Sequence, residues 1–170
     1  MDAPAVAVHH MSEAHRGRTG RIGPRSAHRV VYDPPMPTLF TRIIDGELPG
    51  HFVWSDEHCV AFLSINPVTV GHALVVPRAE IDHWIDLPPD LAAHLMEIAR
   101  RVGAAQERAF SPPRIGLEVA GFEVPHCHLH VLPIWGEDDL HLSRSARSVD
   151  PEQLAEAAAA IRKALSELGF

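Results

Sequence analysis

Three histidines alternate with apolar residues near the C-terminal end of the chain, in the run His-Cys-His-Leu-His-Val-Leu. Successive side chains of a β-strand point to opposite faces, so this run predicts a strand over His126–Leu132. Its three imidazoles would share one face about 6.5 Å apart along the backbone, with Cys127, Leu129 and Val131 facing a core. Imidazole titrates near neutral pH, so this row offers more polar chemistry than sheet packing requires.

The rest of the chain predicts a mixture of helices and short strands. Apolar runs bounded by turn residues predict strands, and apolar residues spaced by three and four predict amphipathic helices. The predicted helices cover 38–45, 88–110 and a last segment from Pro151 to Gly169, and the other predicted strands cover 51–55, 59–63, 73–76 and 114–120. Hairpin-like links between strands favour an α+β fold with a mainly antiparallel sheet.

Composition excludes several classes of protein. The chain has 170 residues, 46% of them hydrophobic, which fits a single globular domain. Its net charge of −7 provides no bulk basic field for nucleic acid. No apolar run approaches the roughly 18 residues of a membrane span. The two cysteines do not make a disulfide framework. We therefore expect a cytoplasmic protein that binds neither nucleic acid nor membranes.

Charge and periodicity divide the chain into three parts. Residues 1–36 are rich in arginine and interrupted by glycine and proline, and no apolar pattern is sustained there, so we expect a flexible N-terminal extension. An alternative expectation is that Met36 is the initiator methionine. Residues 37–140 are expected to form the main domain, and residues 141–170 a C-terminal segment with an amphipathic helix.

Two kinds of chemistry fit the alternating histidines. Imidazole is a common zinc ligand, but three histidines along one straight strand do not converge easily on a single ion. In the other interpretation, one imidazole attacks an electrophile while its neighbours stabilise the developing charge and handle protons. The residues alone leave both interpretations open.

Four motifs in order, over about residues 38–135, resemble the histidine-triad (HIT) superfamily of nucleotidyl hydrolases and transferases. The alternating histidines match its His-X-His-X-His signature. The other three motifs are the stretches from Phe40 to Pro49 (FTRIIDGELP), from Ala61 to Pro67 (AFLSINP) and from Gly71 to Pro77 (GHALVVP). The resemblance implies an α+β, HIT-like fold, with a five-stranded antiparallel sheet, flanking helices and a homodimer.

The resemblance also implies an activity that needs no cofactor. The small-molecule substrate would be a nucleotide derivative cleaved at its α-phosphorus: a nucleoside phosphoramidate, a dinucleoside polyphosphate or an adenylylated compound. His128 would be the nucleophile and would form a transient nucleotidyl-histidine. His126 and its backbone carbonyl would orient His128, while His130 and His72 would lie near the phosphate oxygens.

The implied substrate pocket departs from the family pattern at two positions. Apolar residues would line the base and ribose pocket, although core packing explains each of them equally well. Family members commonly carry an acidic residue at Ser64, to bind the ribose hydroxyls. Glu123 replaces a hydroxyl that contacts phosphate, and its charge should repel that group. These changes favour an alternative, a nucleotide- or partner-binding module with little turnover. The implied substrate-binding residues are Phe40, Ile43, Leu48, Leu63, Ser64, Ile65, Glu123 and Val124.

The resemblance also bears on metal binding. Zinc-binding members carry Cys-X-X-Cys near the start of the domain, where this chain has Thr38 and Thr41. We therefore expect no metal at that place. A metalloenzyme that uses the three alternating histidines as ligands stays open as a third hypothesis.

Overall fold

A sheet of five strands, flanked by helices, is built from residues 36–146 and 149–170, which the computed structural model describes. The predicted N-terminal extension lies outside the described residues, apart from its last residue, Met36. The strands are β1 (Phe52–Ser55), β2 (Cys59–Leu63), β3 (Ala73–Pro77), β4 (Arg114–Glu118) and β5 (Leu129–Ile134), and the helices are α1 (Leu39–Ile44), α2 (Pro89–Phe110) and α3 (Pro151–Glu167). Short 3₁₀ turns lie at Trp84–Asp86, Glu137–Leu140 and Leu142–Arg144.

All neighbouring strands run antiparallel, in the order β1-β2-β3-β5-β4, so the predicted α+β fold with a five-stranded antiparallel sheet is confirmed. The register places His130 of β5 opposite Leu74 on one side and Glu118 on the other. The last of the three alternating histidines therefore lies on an inner strand of the sheet, close to the start of β5.

The two faces of the sheet bury different sets of residues. In β2, Ala61 and Leu63 face the main core, together with the apolar stripes of α2 and α3. The alternate residues Val60 and Phe62 join a smaller cluster with Phe40 of α1. This separation follows from the period of two along a strand. Helices α2 and α3 therefore cover one face, and α1 packs on the other.

The long helix begins and ends where its sequence predicts. Leu95, Ile98 and Val102 are buried on one stripe of α2, at the spacing that predicts an amphipathic helix. The helix ends at Phe110 and is capped by Ser111, whose φ of 51° is left-handed, and Pro112 follows. None of the helices within the described residues is long and apolar enough to cross a membrane.

Both limits predicted for the strand with the histidines, and the predicted end of β4, are wrong. The strand predicted over His126–Leu132 begins only at Leu129 and continues to Ile134, and β4 ends at Glu118 instead of Ala120. The backbone N–H of Cys127 donates to the carbonyl of Ile81, which belongs to no strand, at 2.6 Å. The segment from His126 to His128 therefore leads into β5 and is held by loop contacts.

Candidate active site

Four histidine side chains are buried together at the end of the sheet. His72, His126, His128 and His130 are each no more than 9% exposed. His130 lies in β5, His72 immediately precedes β3, and the other two lie in the segment before β5. The structure thus brings together all four residues that were assigned catalytic roles from the sequence. Cys127, Leu129 and Val131 face the main core, as the alternation predicts.

Gly71 allows His72 to occupy this position. Its φ of 87° is left-handed, a conformation that residues with a side chain rarely adopt. A Cβ atom at this position would also lie 2.4 Å from a ring carbon of Phe110. The chain can therefore turn tightly into β3 only with glycine at this place.

His128 has one ring nitrogen fixed, and its other ring nitrogen makes no hydrogen bond to the part of the chain that the structure describes. Its Nδ1 atom lies 2.7 Å from the backbone carbonyl oxygen of His126. A carbonyl only accepts hydrogen bonds, so Nδ1 carries the proton and Nε2 keeps its lone pair. The ring of Phe40 packs edge-on against the imidazole, with 4.9 Å between the ring centroids. His128 is thus held as a neutral imidazole with an unprotonated Nε2.

His72 and His130 form a second chain of hydrogen bonds. The backbone N–H of Val68 donates to Nδ1 of His72 at 3.2 Å, so the proton of this neutral ring lies on Nε2. That Nε2–H donates to Nδ1 of His130 at 2.9 Å, which leaves the proton of His130 on its own Nε2. The rings of His128 and His130 are 4.8 Å apart between centroids. A free lone pair and a free N–H donor therefore lie on adjacent imidazoles.

Burial keeps these imidazoles neutral. Burial, with a smaller contribution from His128, lowers the pKa of His72 to about 4. Burial also lowers the pKa of His130 to about 3, with smaller contributions from His128 and His72. The pKa of His128 is lowered too, mainly by burial, although the charge of Glu123 and the bond to His126 act in the opposite direction. Burial therefore favours the neutral form of all three rings, in which one ring nitrogen keeps its lone pair, as a nucleophile requires.

His126 is held at both ring nitrogens. Its Nε2 atom lies 2.8 Å from the carbonyl oxygen of Pro77, and its Nδ1 atom lies 2.8 Å from the hydroxyl of Thr38. The side chain is fully buried. The family resemblance singles out Thr38 only as a place where zinc-binding members carry cysteine. Its contact with His126 joins residues 88 positions apart, a distance that a local pattern cannot reveal.

Three of the predicted substrate-binding residues share one apolar patch beside the imidazoles. Phe40, Ile43 and Val124 belong to the smaller cluster, together with Phe52 and Phe62. Phe62 was not identified from the sequence, yet its ring packs against Phe40 with 5.6 Å between centroids. The alternation along β2 could have found it, because Phe62 and Leu63 must point to opposite faces.

Leu63 does not lie on this patch. It is 2% exposed and packs in the main core with α2 and α3, so its assignment to the substrate pocket is corrected. Ser64 follows directly, and its backbone N–H donates to the carbonyl of His72 at 2.9 Å. Ile65 is 66% exposed, and Leu48, after α1, is half-buried. Of these four residues, Ser64 is therefore the one tied by a backbone hydrogen bond to a catalytic candidate.

Glu123 lies on the exposed turn between β4 and the histidines. Its carboxylate raises the pKa of His128, so it acts on that ring through its charge. A small cavity of about 50 Å³ opens beside His128. Its lining residues are Asp82, His83, Trp84, Val119, Ala120, Gly121, Cys127 and His128.

The donor set around Thr38 does not fit a zinc site of the family type. The hydroxyls of Thr38 and Thr41 lie 3.1 Å apart, next to Nδ1 of His126. Zinc in proteins is bound by thiolate, imidazole and carboxylate groups, and a neutral hydroxyl is no substitute for a thiolate. Both ring nitrogens of His126 are already engaged in hydrogen bonds. We therefore derive no chemical step through a metal at this place.

Comparison with known proteins gives consistent matches. A family model described as HIT domain matches residues 45–135. Protein hit of Bacillus subtilis (strain 168) is 33% identical over 138 residues, which cover 75% of this chain and 94% of that protein. A zinc-bound histidine triad family protein from Mycobacterium smegmatis has a TM-score of 0.67 at 27% identity, over 79% of this chain and 96% of that one. A HIT family hydrolase from Legionella pneumophila Philadelphia 1 has a TM-score of 0.50 at 32% identity, over 56% of this chain and 91% of that one.

Proposed function

Since the chain belongs to the histidine-triad (HIT) family, we propose that it is a hydrolase or transferase that acts at the α-phosphorus of a nucleotide derivative. The observation that carries this proposal is the free Nε2 lone pair of His128, beside the free Nε2–H of His130. A nucleophile and a hydrogen-bond donor on adjacent rings suit attack on phosphorus with stabilisation of a phosphate oxygen.

The reaction proceeds in two displacements. Nε2 of His128 attacks the α-phosphorus, and the bond to the leaving group breaks with its electron pair on that group, which takes up a proton from solvent water. His130 donates its Nε2–H to a non-bridging oxygen as charge moves onto the phosphoryl group. Water or another acceptor then attacks the phosphorus of the nucleotidyl-histidine, and the P–Nε2 bond breaks with its electron pair on Nε2, which restores the neutral imidazole. The attacking group loses its proton to solvent water. The carbonyl of His126 holds the Nδ1–H of His128, which carries partial positive charge in the adduct.

The apolar patch of Phe40, Ile43 and Val124, extended by Phe62, supports binding of the nucleobase. Ser64 and Ile65 follow β2 at the same end of the sheet as His72, and Leu48 follows α1, so these residues are proposed to border the ribose. Glu123 is proposed to lie near the phosphate, because its charge raises the pKa of His128, the residue that attacks phosphorus. Leu63 is not included, because it packs in the main core.

The experiment compares turnover of an adenosine phosphoramidate by the wild-type protein and by His128→Ala. Loss of the nucleophile should lower kcat by at least about a thousandfold, because no neighbouring group can replace the covalent step. His141→Ala is the matched control, since His141 is exposed and lies outside the cluster of four histidines. A wild-type protein that binds the nucleotide without turnover would favour the alternative, a nucleotide-binding module.

We also propose that the protein is a homodimer. Strand β4 is an edge of the sheet, and a groove of about 390 Å³ lies between β4 and α2 on the face away from the four histidines. Leu117 and Met96 are 44% and 51% exposed beside it, an arrangement that favours pairing with a second copy. Light scattering should give twice the chain mass, and Leu117→Lys should give the monomer. Ile85→Lys, at an exposed position elsewhere, is the control.

A further inference from the structure

An exposed carboxylate is connected to the buried His126 through two threonines. Glu80 accepts hydrogen bonds from the hydroxyl of Thr41 and from the backbone N–H of Thr38, the latter at 2.8 Å. The hydroxyl of Thr38 lies 3.1 Å from that of Thr41 and 2.8 Å from Nδ1 of His126. We call Thr38, Thr41 and Glu80 the Thr–Glu network.

The network belongs to a larger clamp on the segment that carries the histidines. Glu80 lies in the loop after β3, and Pro77, the last residue of β3, supplies the carbonyl that accepts from Nε2 of His126 at 2.8 Å. The carbonyl of Ile81 accepts from the N–H of Cys127 at 2.6 Å. The end of β3 and the loop that follows it thus contact the His126–Cys127 segment directly at two points, and the loop reaches it at a third point through Thr38.

The positions of the protons follow from the partners of His126. The Pro77 carbonyl only accepts, so Nε2 carries the proton, and Nδ1 of the neutral ring accepts from the Thr38 hydroxyl. The hydroxyl of Thr41 donates its hydrogen to Glu80, whose pKa is lowered chiefly by this bond and by the N–H of Thr38. In this state the two threonine hydroxyls touch without a hydrogen between them. If His126 gains a proton, Thr38 can accept from Nδ1 and turn its own hydrogen toward Thr41. The network therefore accommodates either charge state of the ring.

We propose that Thr38, Thr41 and Glu80 are positioning residues, which hold His126 so that its backbone carbonyl anchors the Nδ1–H of His128. This inference rests on the proposed function. The 2.7 Å bond between His128 and His126 is the last link of the chain that starts at Glu80. A displacement of a catalytic group by a fraction of an ångström is enough to lower a rate severalfold. Glu80 is thus coupled to the nucleophile without touching the substrate.

Thr38 has a second role that the experiment must separate. Its hydroxyl caps α1 by accepting from the N–H of Thr41 at 3.1 Å. Thr38→Val removes the cap and the bond to His126 together, whereas Thr38→Ser keeps both. Glu80→Ala and Thr41→Val leave the Thr38 cap in place and remove only the outer part of the network.

The first arm measures kcat and KM with an adenosine phosphoramidate. We expect Thr38→Val to lower kcat by about 10- to 100-fold, and Glu80→Ala and Thr41→Val by about three- to tenfold, each with KM within about twofold of wild type. Thr38→Ser should restore kcat to within about threefold. Glu57→Gln is the control, because Glu57 is an exposed carboxylate on the turn between β1 and β2. Values of kcat within twofold of wild type for all three disruptive variants would overturn the proposal.

The second arm needs no turnover and therefore separates this proposal from the proposed function. Nitrogen-15 spectra of the imidazoles in the full-length protein should show the Nε2–H tautomer for His126 and the Nδ1–H tautomer for His128. In Thr38→Val, the His126 resonances should shift, and His128 should become a mixture of tautomers. Unchanged His128 resonances in folded Thr38→Val, or an Nδ1–H tautomer of wild-type His126, would overturn the proposal even if the wild-type protein turns over every substrate offered.

Discussion

The Nε2 atom of His72 lies 2.9 Å from the Nδ1 atom of His130, and this bond sets the direction in which His130 presents its proton. His72 can donate only because its own Nδ1 accepts from the backbone of Val68. His130 is left with a free Nε2–H next to His128. A residue outside the alternating run thus determines the tautomer of a residue within it.

Gln106 secures this pair from the other side of the sheet. Its Nε2 donates to the carbonyls of Gly71 and Val131, at 2.8 and 2.9 Å, and these residues immediately follow or precede the two histidines in the chain. Gln106→Leu would leave both buried carbonyls without this donor, so we expect a loss of about 2–4 kcal/mol of stability. Urea denaturation measures the loss, with Gln153→Leu, the same change at an exposed position of α3, as the control. Unchanged stability would mean that the two bonds are not required.

The pH profile of kcat/KM should report the lowered pKa of His128. Turnover needs the neutral ring, so activity should fall only as the pH drops below the ordinary imidazole pKa of 6.5. Glu123 raises this pKa through its charge, so Glu123→Gln should move the acid limb to lower pH. The same change should lower KM, because a carboxylate that repels the phosphate is removed. Glu57→Gln should leave the profile in place, and a shift of the Glu123→Gln limb to higher pH would contradict the assignment.

Asp56 should stabilise the β1–β2 hairpin. Burial alone would raise its pKa, but hydrogen bonds from Trp54, His94 and two backbone N–H groups lower it well below the ordinary 3.8. A lowered folded-state pKa stabilises the protein above the unfolded pKa, and this stability is lost as the pH falls below it. Asp56→Ala should cost about 2–4 kcal/mol at neutral pH, measured by denaturation. Glu57→Ala on the same turn should cost far less, and equal losses would refute the interpretation.

With Ser64 at this position, the protein should discriminate poorly between ribose and 2′-deoxyribose substrates. Its hydroxyl is a neutral acceptor that already accepts from the N–H of Asn66 at 3.2 Å, and hydrogen bonds to charged acceptors are stronger by roughly 1 kcal/mol. We therefore expect similar kcat/KM values for ribose and 2′-deoxyribose substrates. Ser64→Asp should raise kcat/KM for the ribonucleotide more than for the deoxy analogue. A hundredfold preference of the wild-type protein for ribose would show that another residue recognises the sugar.

The sequence predicts the sheet and the four histidines because both are encoded locally. Alternation in β2 and β5 and the spacing of Leu95, Ile98 and Val102 are visible within a few residues of one another. The predicted start of β5 is too early, because the alternation of histidine and apolar residues begins in the backbone that precedes the first hydrogen-bonded strand pair. The N–H of Cys127 donates to a loop carbonyl, that of Ile81, and not to a neighbouring strand, so β5 begins after this residue.

The arrangement around the histidines depends on contacts that no local pattern contains. Thr38 and His126 meet through the packing of α1 on the sheet, and Glu80 joins them from the loop after β3. Leu63 was assigned to the substrate pocket by resemblance, although the period of two places it on the core face. The same rule identifies Phe62 as the member of this pair on the side of Phe40.

The central claim is that His128 becomes covalently attached to the nucleotide, and rapid acid-free quenching followed by mass spectrometry tests it most directly. The wild-type protein, mixed with an adenosine phosphoramidate and quenched during turnover, should carry one adenylyl group on the peptide that contains His128. The adduct should be absent from His128→Ala and present in His141→Ala. Turnover by the wild-type protein with no adduct, or an adduct that persists in His128→Ala, would contradict the assignment of His128 as the nucleophile.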